Sequence, residues 1–220
     1  VAERERRVQQ WSQSQPTPPE LATITPPRFD VDDPRMLQHL RDQGFAVVRS
    51  VAAASELAHA EALLWEFLEG RTDMLRGEPS TWTNSNFKSV GDPTNGILSG
   101  NGFGHAEVCW FTRTLPKVWA TFARIWGTER LICSFDGGNA FRPFHAPGAE
   151  RHRTMGGWWH VDQGRSKRGL HAVQGLVLLT DANAHTGGLC VVPGSHKAHD
   201  ELMRYTVTSP DGMDFVVVPS

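Results

Sequence analysis

One of the ten histidines in this 220-residue chain stands at a spacing that can hold a metal: His160-Val161-Asp162. On a strand, residues i and i+2 project from the same face, so this imidazole and this carboxylate can grip one ion from one side. They make up two thirds of the facial set of two histidines and one carboxylate, which leaves positions on Fe(II) open for an organic co-substrate and oxygen. Alone the tripeptide carries little weight. Ten histidines and twelve aspartates in this length give about 0.5 such pairs by chance.

Two similar spacings lack the right setting. His59-Ala60-Glu61 falls in a helical pattern, where i and i+2 point to different faces, so a surface histidine is expected. His105-Ala106-Glu107 lies in a Gly-rich stretch with nothing to align its side chains. The surroundings of His160 are more specific. Gly157-Trp158-Trp159-His160-Val161-Asp162-Gln163 is followed by Gly175-Leu-Val-Leu-Leu-Thr180-Asp181, then by Gly187-Gly188-Leu189-Cys190-Val191-Val192-Pro193-Gly194-Ser195-His196-Lys197. In order and spacing this resembles the phytanoyl-CoA dioxygenase family, well over residues 131–200 and loosely over 44–69.

That resemblance implies a double-stranded β-helix of the cupin-like jelly-roll kind. It also implies a non-haem Fe(II) and 2-oxoglutarate dependent dioxygenase that hydroxylates a small organic substrate with molecular oxygen. By the same resemblance His160 and Asp162 are iron ligands and catalytic residues, and the Pro193–Lys197 segment is a tight turn whose His196 binds no iron. Arg142-Pro143 is similar to the basic-Pro pair before the iron motif, so Arg142 or Asn139 is a candidate to line the co-substrate pocket; a solvated or ion-paired Arg142 is the plain alternative. Related halogenases carry Ala or Gly in place of the carboxylate, so Asp162 implies hydroxylation. The family's third ligand, a downstream histidine, and the arginine that binds the distal carboxylate of 2-oxoglutarate have no counterpart here. The expectation is that the strands bearing them lie beyond Ser220, the alternative being a catalytically inactive cupin-like binding module.

These residues need elements to position them. Residues 1–30 hold 5 of the 14 prolines and a charged opening, and read as an arm or linker. A single oxygenase-like domain is expected over 31–220. Asp33-Pro34 caps a short helix that stops at Gly44. Residues 45–51 read as a strand, and Ser55 opens a longer helix with Leu57, Leu64, Phe67 and Leu68 on one face, ended by Gly70. Residues 71–110, rich in Gly, Asn, Ser and Thr, suggest a binding loop or lid. Pro116 to Trp126 is a third helix, stopped by Gly127. Beyond it, apolar runs at 131–135, 158–162, 173–180, 189–192 and 206–218 alternate with turn residues and read as strands; Trp158 and Trp159 would then face opposite sides, one toward the core and one toward the site. Helices first and strands second give an α+β chain.

Composition excludes several other functions. The chain carries 22 basic and 24 acidic residues, formal charge -2, so no polybasic surface is offered to nucleic acid or an anionic membrane. Its uninterrupted aliphatic runs reach four residues, as at Leu176–Leu179, far short of the roughly 20 of a membrane span. Cys109, Cys133 and Cys190 are odd in number and lack Cys-x-x-Cys spacing. That argues against a disulfide framework or thiolate zinc site and for the cytoplasm or another reducing intracellular compartment. Nothing in the sequence sets an oligomeric state.

Overall fold

Asp33 opens the first helix as its residue type demands. Its Oδ1 accepts the Arg35 amide at 2.9 Å, Pro34 takes the first helical position, and the helix α1 runs Pro34–Gln43. Gly44, at φ 79°, closes it with its amide on the Leu40 carbonyl, a left-handed stop that suits glycine. In this computed structural model, which describes residues 25–144, 149–154, 159–183, 186–205 and 214–218, α1 is flanked by a parallel pair of strands, β1 (Arg28–Phe29) and β2 (Val47–Val48). Residues 1–24 of the expected arm lie outside the described residues. Its last part does not behave as an arm: Arg28 and Phe29 pair with Val47 and Val48, and Asp30 pairs with Arg49 at 2.5 Å.

Helix α2 (Ala54–Arg71) starts where Glu56 reaches back to the Ala53 amide at 2.7 Å. It runs one residue past Gly70 and ends at Thr72, which turns extended and puts its hydroxyl on the Leu68 carbonyl. Its buried positions are Ala60, Leu63 and Leu68, while Leu64 and Phe67 pack beside them. Residues 71–110 are not an open lid. They contain α3 (Asn84–Phe87), β3 (Ile97–Leu98) and the start of α4 (Glu107–Thr114), and they contribute Met74, Phe87, Val90, Leu98, Phe103, Val108 and Cys109 to the main hydrophobic cluster. Antiparallel to β3 lies β4 (Gly138–Asn139). Gly137, before it, passes so close that a Cβ would sit 2.1 Å from the Leu98 carbonyl oxygen, so no other residue fits this backbone. Helix α5 (Pro116–Trp126) ends at Gly127, φ 64°, as its pattern indicates.

The rest of the chain is sparsely paired. β5 (His160–Val161) is antiparallel to β6 (Val216–Val217), and α6 spans His199–Tyr205. The α+β mixture is therefore present, as three two-stranded sheets among helices in the described residues. The expected strands at 131–135, 173–180 and 189–192 belong to no ladder among the described residues; Ile132 and Leu189 are 101% and 72% exposed. A strand exists only where its amides and carbonyls meet a partner, and an apolar run supplies the propensity without the partner. Of the 158–162 and 206–218 runs, the ladder among the described residues takes in β5 and β6, extended by the Val218 amide on the Trp159 carbonyl; Trp158 and residues 206–213 lie outside the described residues.

Candidate functional site

The β5–β6 ladder carries the first member of the candidate metal-ligand pair and ends just before the second. His160 sits opposite Val217, Val161 opposite Val216, and the Val218 amide donates to the Trp159 carbonyl at 2.8 Å. Asp162 follows just beyond the end of β5, and its Oδ2 lies 3.7 Å from His160 Nε2, the two side chains 41% and 28% exposed. The His160 ring lies tilted on Phe215, centroids 4.6 Å apart, which shields one side. Asp162 Oδ2 also accepts the side-chain amide of Gln174 at 2.8 Å.

The chain after Asp162 is tied down from two sides. Asp214, just before β6, accepts the Gly164 amide at 3.1 Å and pairs with Lys167; Lys167 and that amide hold its carboxyl below the usual range. From α6, His199 Nε2 donates to the Gln163 carbonyl at 2.8 Å, and Asp200 pairs with Arg168. The loop is therefore fixed to the helix and strand that follow it in sequence.

A nitrogen and a carboxylate oxygen 3.7 Å apart are separated by less than two metal–ligand bonds of about 2.1 Å each, so one divalent ion can touch both. Imidazole and carboxylate also suit iron. Among the described residues no group of three or more His, Cys, Asp or Glu gathers for a metal, so this pair supplies two donors.

Asn139 and Arg142 are placed elsewhere. Asn139 is exposed on β4, paired with Ile97. Arg142 is not solvated, and it has no ion pair among the described residues. It is buried, donates to the Trp82 and Pro93 carbonyls at 3.2 and 3.1 Å, and lies over the Phe87 ring at 4.9 Å. These contacts make it a clamp on the segment around α3; none is to His160 or Asp162.

Several other described histidines have structural partners. His59 is exposed on α2, edge-on to Phe111, and His105 stacks on Phe135 at 4.3 Å. His196 Nε2 donates to the Arg41 carbonyl at 2.9 Å beside a Gly194 amide on the Gln43 carbonyl, so the Pro193–Lys197 turn docks on the C-terminus of α1. Gln174 is the site residue that sequence reasoning missed. It stands twelve positions after Asp162, and no local spacing announces a contact made by the fold. All three cysteines are free thiols, Cys109 buried and the others exposed, and no helix among the described residues is long and apolar enough to cross a membrane.

A His-x-Asp pair whose donor atoms meet at the end of a strand in a mixed α+β chain is an arrangement that one divalent ion can bridge, and the comparisons give the family. The phytanoyl-CoA dioxygenase model matches residues 40–217, and the chain belongs to that family, whose members are typically Fe(II)- and 2-oxoglutarate-dependent dioxygenases. It is also 31% identical over 114 residues to "Ava biosynthesis cluster protein O" of Aspergillus versicolor, a match taking in 52% of this chain and 35% of that protein. The chain thus matches about a third of that curated relative's length. No solved structure matches it significantly.

Proposed function

We propose that this chain belongs to a non-haem iron dioxygenase that uses 2-oxoglutarate and molecular oxygen to hydroxylate a small organic substrate, on the family's cupin-like jelly roll. The observation that carries this is the meeting of His160, on β5, with Asp162, just beyond its end, Nε2 and Oδ2 3.7 Å apart. His160 would give Nε2 to the iron, and Asp162 would give an anionic oxygen that offsets part of the ion's charge. When bound, the metal and 2-oxoglutarate supply the oxidising power, one oxygen atom entering the substrate and the other leaving in succinate as carbon dioxide is released.

This chain's own residues hold and shield that chemistry. The β5–β6 ladder fixes the backbone at His160, and the Phe215 ring limits water on one side of that imidazole. Reduced thiols at Cys133 and Cys190 suit the cytoplasm or another reducing intracellular compartment, where Fe(II) also persists. Products of biosynthetic clusters are one substrate class to screen, after the relative's name. The test is Fe(II)-dependent conversion of 2-oxoglutarate to succinate, lost in His160→Ala and in Asp162→Ala. Turnover unaffected by either substitution would overturn the assignment.

A second reading has one observation of its own: Asp162 Oδ2 is already engaged by Gln174, as in a purely structural polar pair of a catalytically inactive binding module. Direct metal titration separates the two, since a structural pair binds no ion.

A further inference from the structure

We propose that Gln174 is a positioning residue for the metal pair, fixing the rotation of the Asp162 carboxylate so that Oδ2 serves one ion together with His160. The proposal rests on the iron-binding reading above. Asp162 stands beyond the end of β5 with a half-exposed side chain, so the ladder does not lock its terminal torsion, which for a carboxylate is broad. Gln174 does. Its Nε2 donates to Oδ2 at 2.8 Å, the same oxygen that lies 3.7 Å from His160 Nε2. A carboxylate oxygen has two lone-pair positions; with one occupied by the amide, the other is left for the ion. Because an amide is neutral, it orients Asp162 without cancelling the negative charge that attracts the metal, as a lysine or arginine there would.

Gln174 has its own support. Neighbouring Gly175 lies against α5 so closely that a Cβ would be 2.7 Å from the Phe122 ring, and Leu179 packs on the main hydrophobic cluster. The 173–180 segment is thus braced on the helical layer, and Gln174 carries that bracing to a carboxylate that β5 leaves free to turn. Since Gln174 is exposed, replacing it removes the amide without opening the core.

Cobalt(II), which takes the same donors as Fe(II) and binds more tightly, is the probe. The full chain is titrated with Co(II) by absorption, with far-ultraviolet circular dichroism confirming the fold of each variant. Gln174→Leu, close in size but without a donor, should weaken Co(II) binding about 10-fold or more, and Gln174→Ala should do the same. In an Asp162→Ala background, where no carboxylate remains to be oriented, Gln174→Leu should change the residual affinity less than twofold. Parent-like affinity in Gln174→Leu and Gln174→Ala overturns the proposal, as does an equal loss in the Asp162→Ala background, which would mark a general structural effect. If the parent itself binds no Co(II), the iron reading falls and takes this proposal with it; the two failures are told apart by the parent's titration.

Discussion

His152 is buried, and its Nε2 has no hydrogen-bond partner among the described residues. Burial first, then the charges of Arg142 and Arg151, hold its pKa below the usual histidine range. The imidazole is therefore neutral in the folded chain at a pH where the unfolded chain has already bound a proton. Stability should be level above about pH 6.5, the unfolded histidine value, and fall as pH drops from there toward the lower folded pKa. Urea midpoints at pH 7.5 and pH 5.5 should show this loss, and His152→Phe should flatten the part of it that His152 contributes; an unchanged pH slope in the variant would refute it. At this scale the sequence was legible only where chemistry is local. A two-residue spacing is written in the residues themselves, so His160 and Asp162 could be named as a candidate pair. Arg142 was nameable as a basic residue near Pro143, but its partners are the Trp82 and Pro93 carbonyls, 60 and 49 positions away. Nothing in the neighbouring letters gives that burial.

Elements follow the same division. Helix ends are decided within a few residues, and Asp33, Pro34, Gly44 and Gly127 mark α1 and α5 correctly. α4 escaped notice because it begins at Ala106 with no side-chain cap, inside a stretch whose glycines and asparagines read as loop. Strands depend on partners far along the chain, so apolar runs alone overstated them. Gly44 joins the local and the distant kinds of information. Its φ of 79° suits glycine, and a Cβ would also lie 2.4 Å from His196 Nδ1, which reaches it from the Pro193–Lys197 turn. Gly44→Ala should therefore cost about 2 kcal/mol, part for the left-handed backbone and part for displacing the ring. Removing the ring with His196→Ala should cost about 1 kcal/mol by itself through the lost hydrogen bond. The double variant should lose less than the sum of the two single changes, because the clash is gone. Chemical denaturation of the four proteins checks this; strict additivity would mean that the ring and the glycine do not meet.

Across the whole molecule, apolar packing and the candidate site are unevenly matched. The main cluster is built from residues 60–109, on α2, α4 and the segment between them, and from the metal-pair side Leu179 is the residue that packs against it. Around the site Leu176, Leu178 and Val217 remain exposed. β5 and β6 contribute two residues each, and so short a two-stranded ladder is marginal without further support. The region holding His160 and Asp162 should therefore open at a lower free energy than α2, and an ion bridging the two side chains should raise that energy by mass action. In hydrogen exchange the Val218 amide, bonded to the Trp159 carbonyl at 2.8 Å, should exchange faster than the amides of Leu63 to Leu68. Cobalt(II) at 100 times its dissociation constant should slow Val218 by about 100-fold, the exchange equivalent of about 2.7 kcal/mol, and leave the α2 amides unchanged. The slowing should vanish in His160→Ala. Equal protection of Val218 and α2 without metal would show that the packed helical layer and the site open as one unit, and that the site draws its order from the core instead of from its ligand.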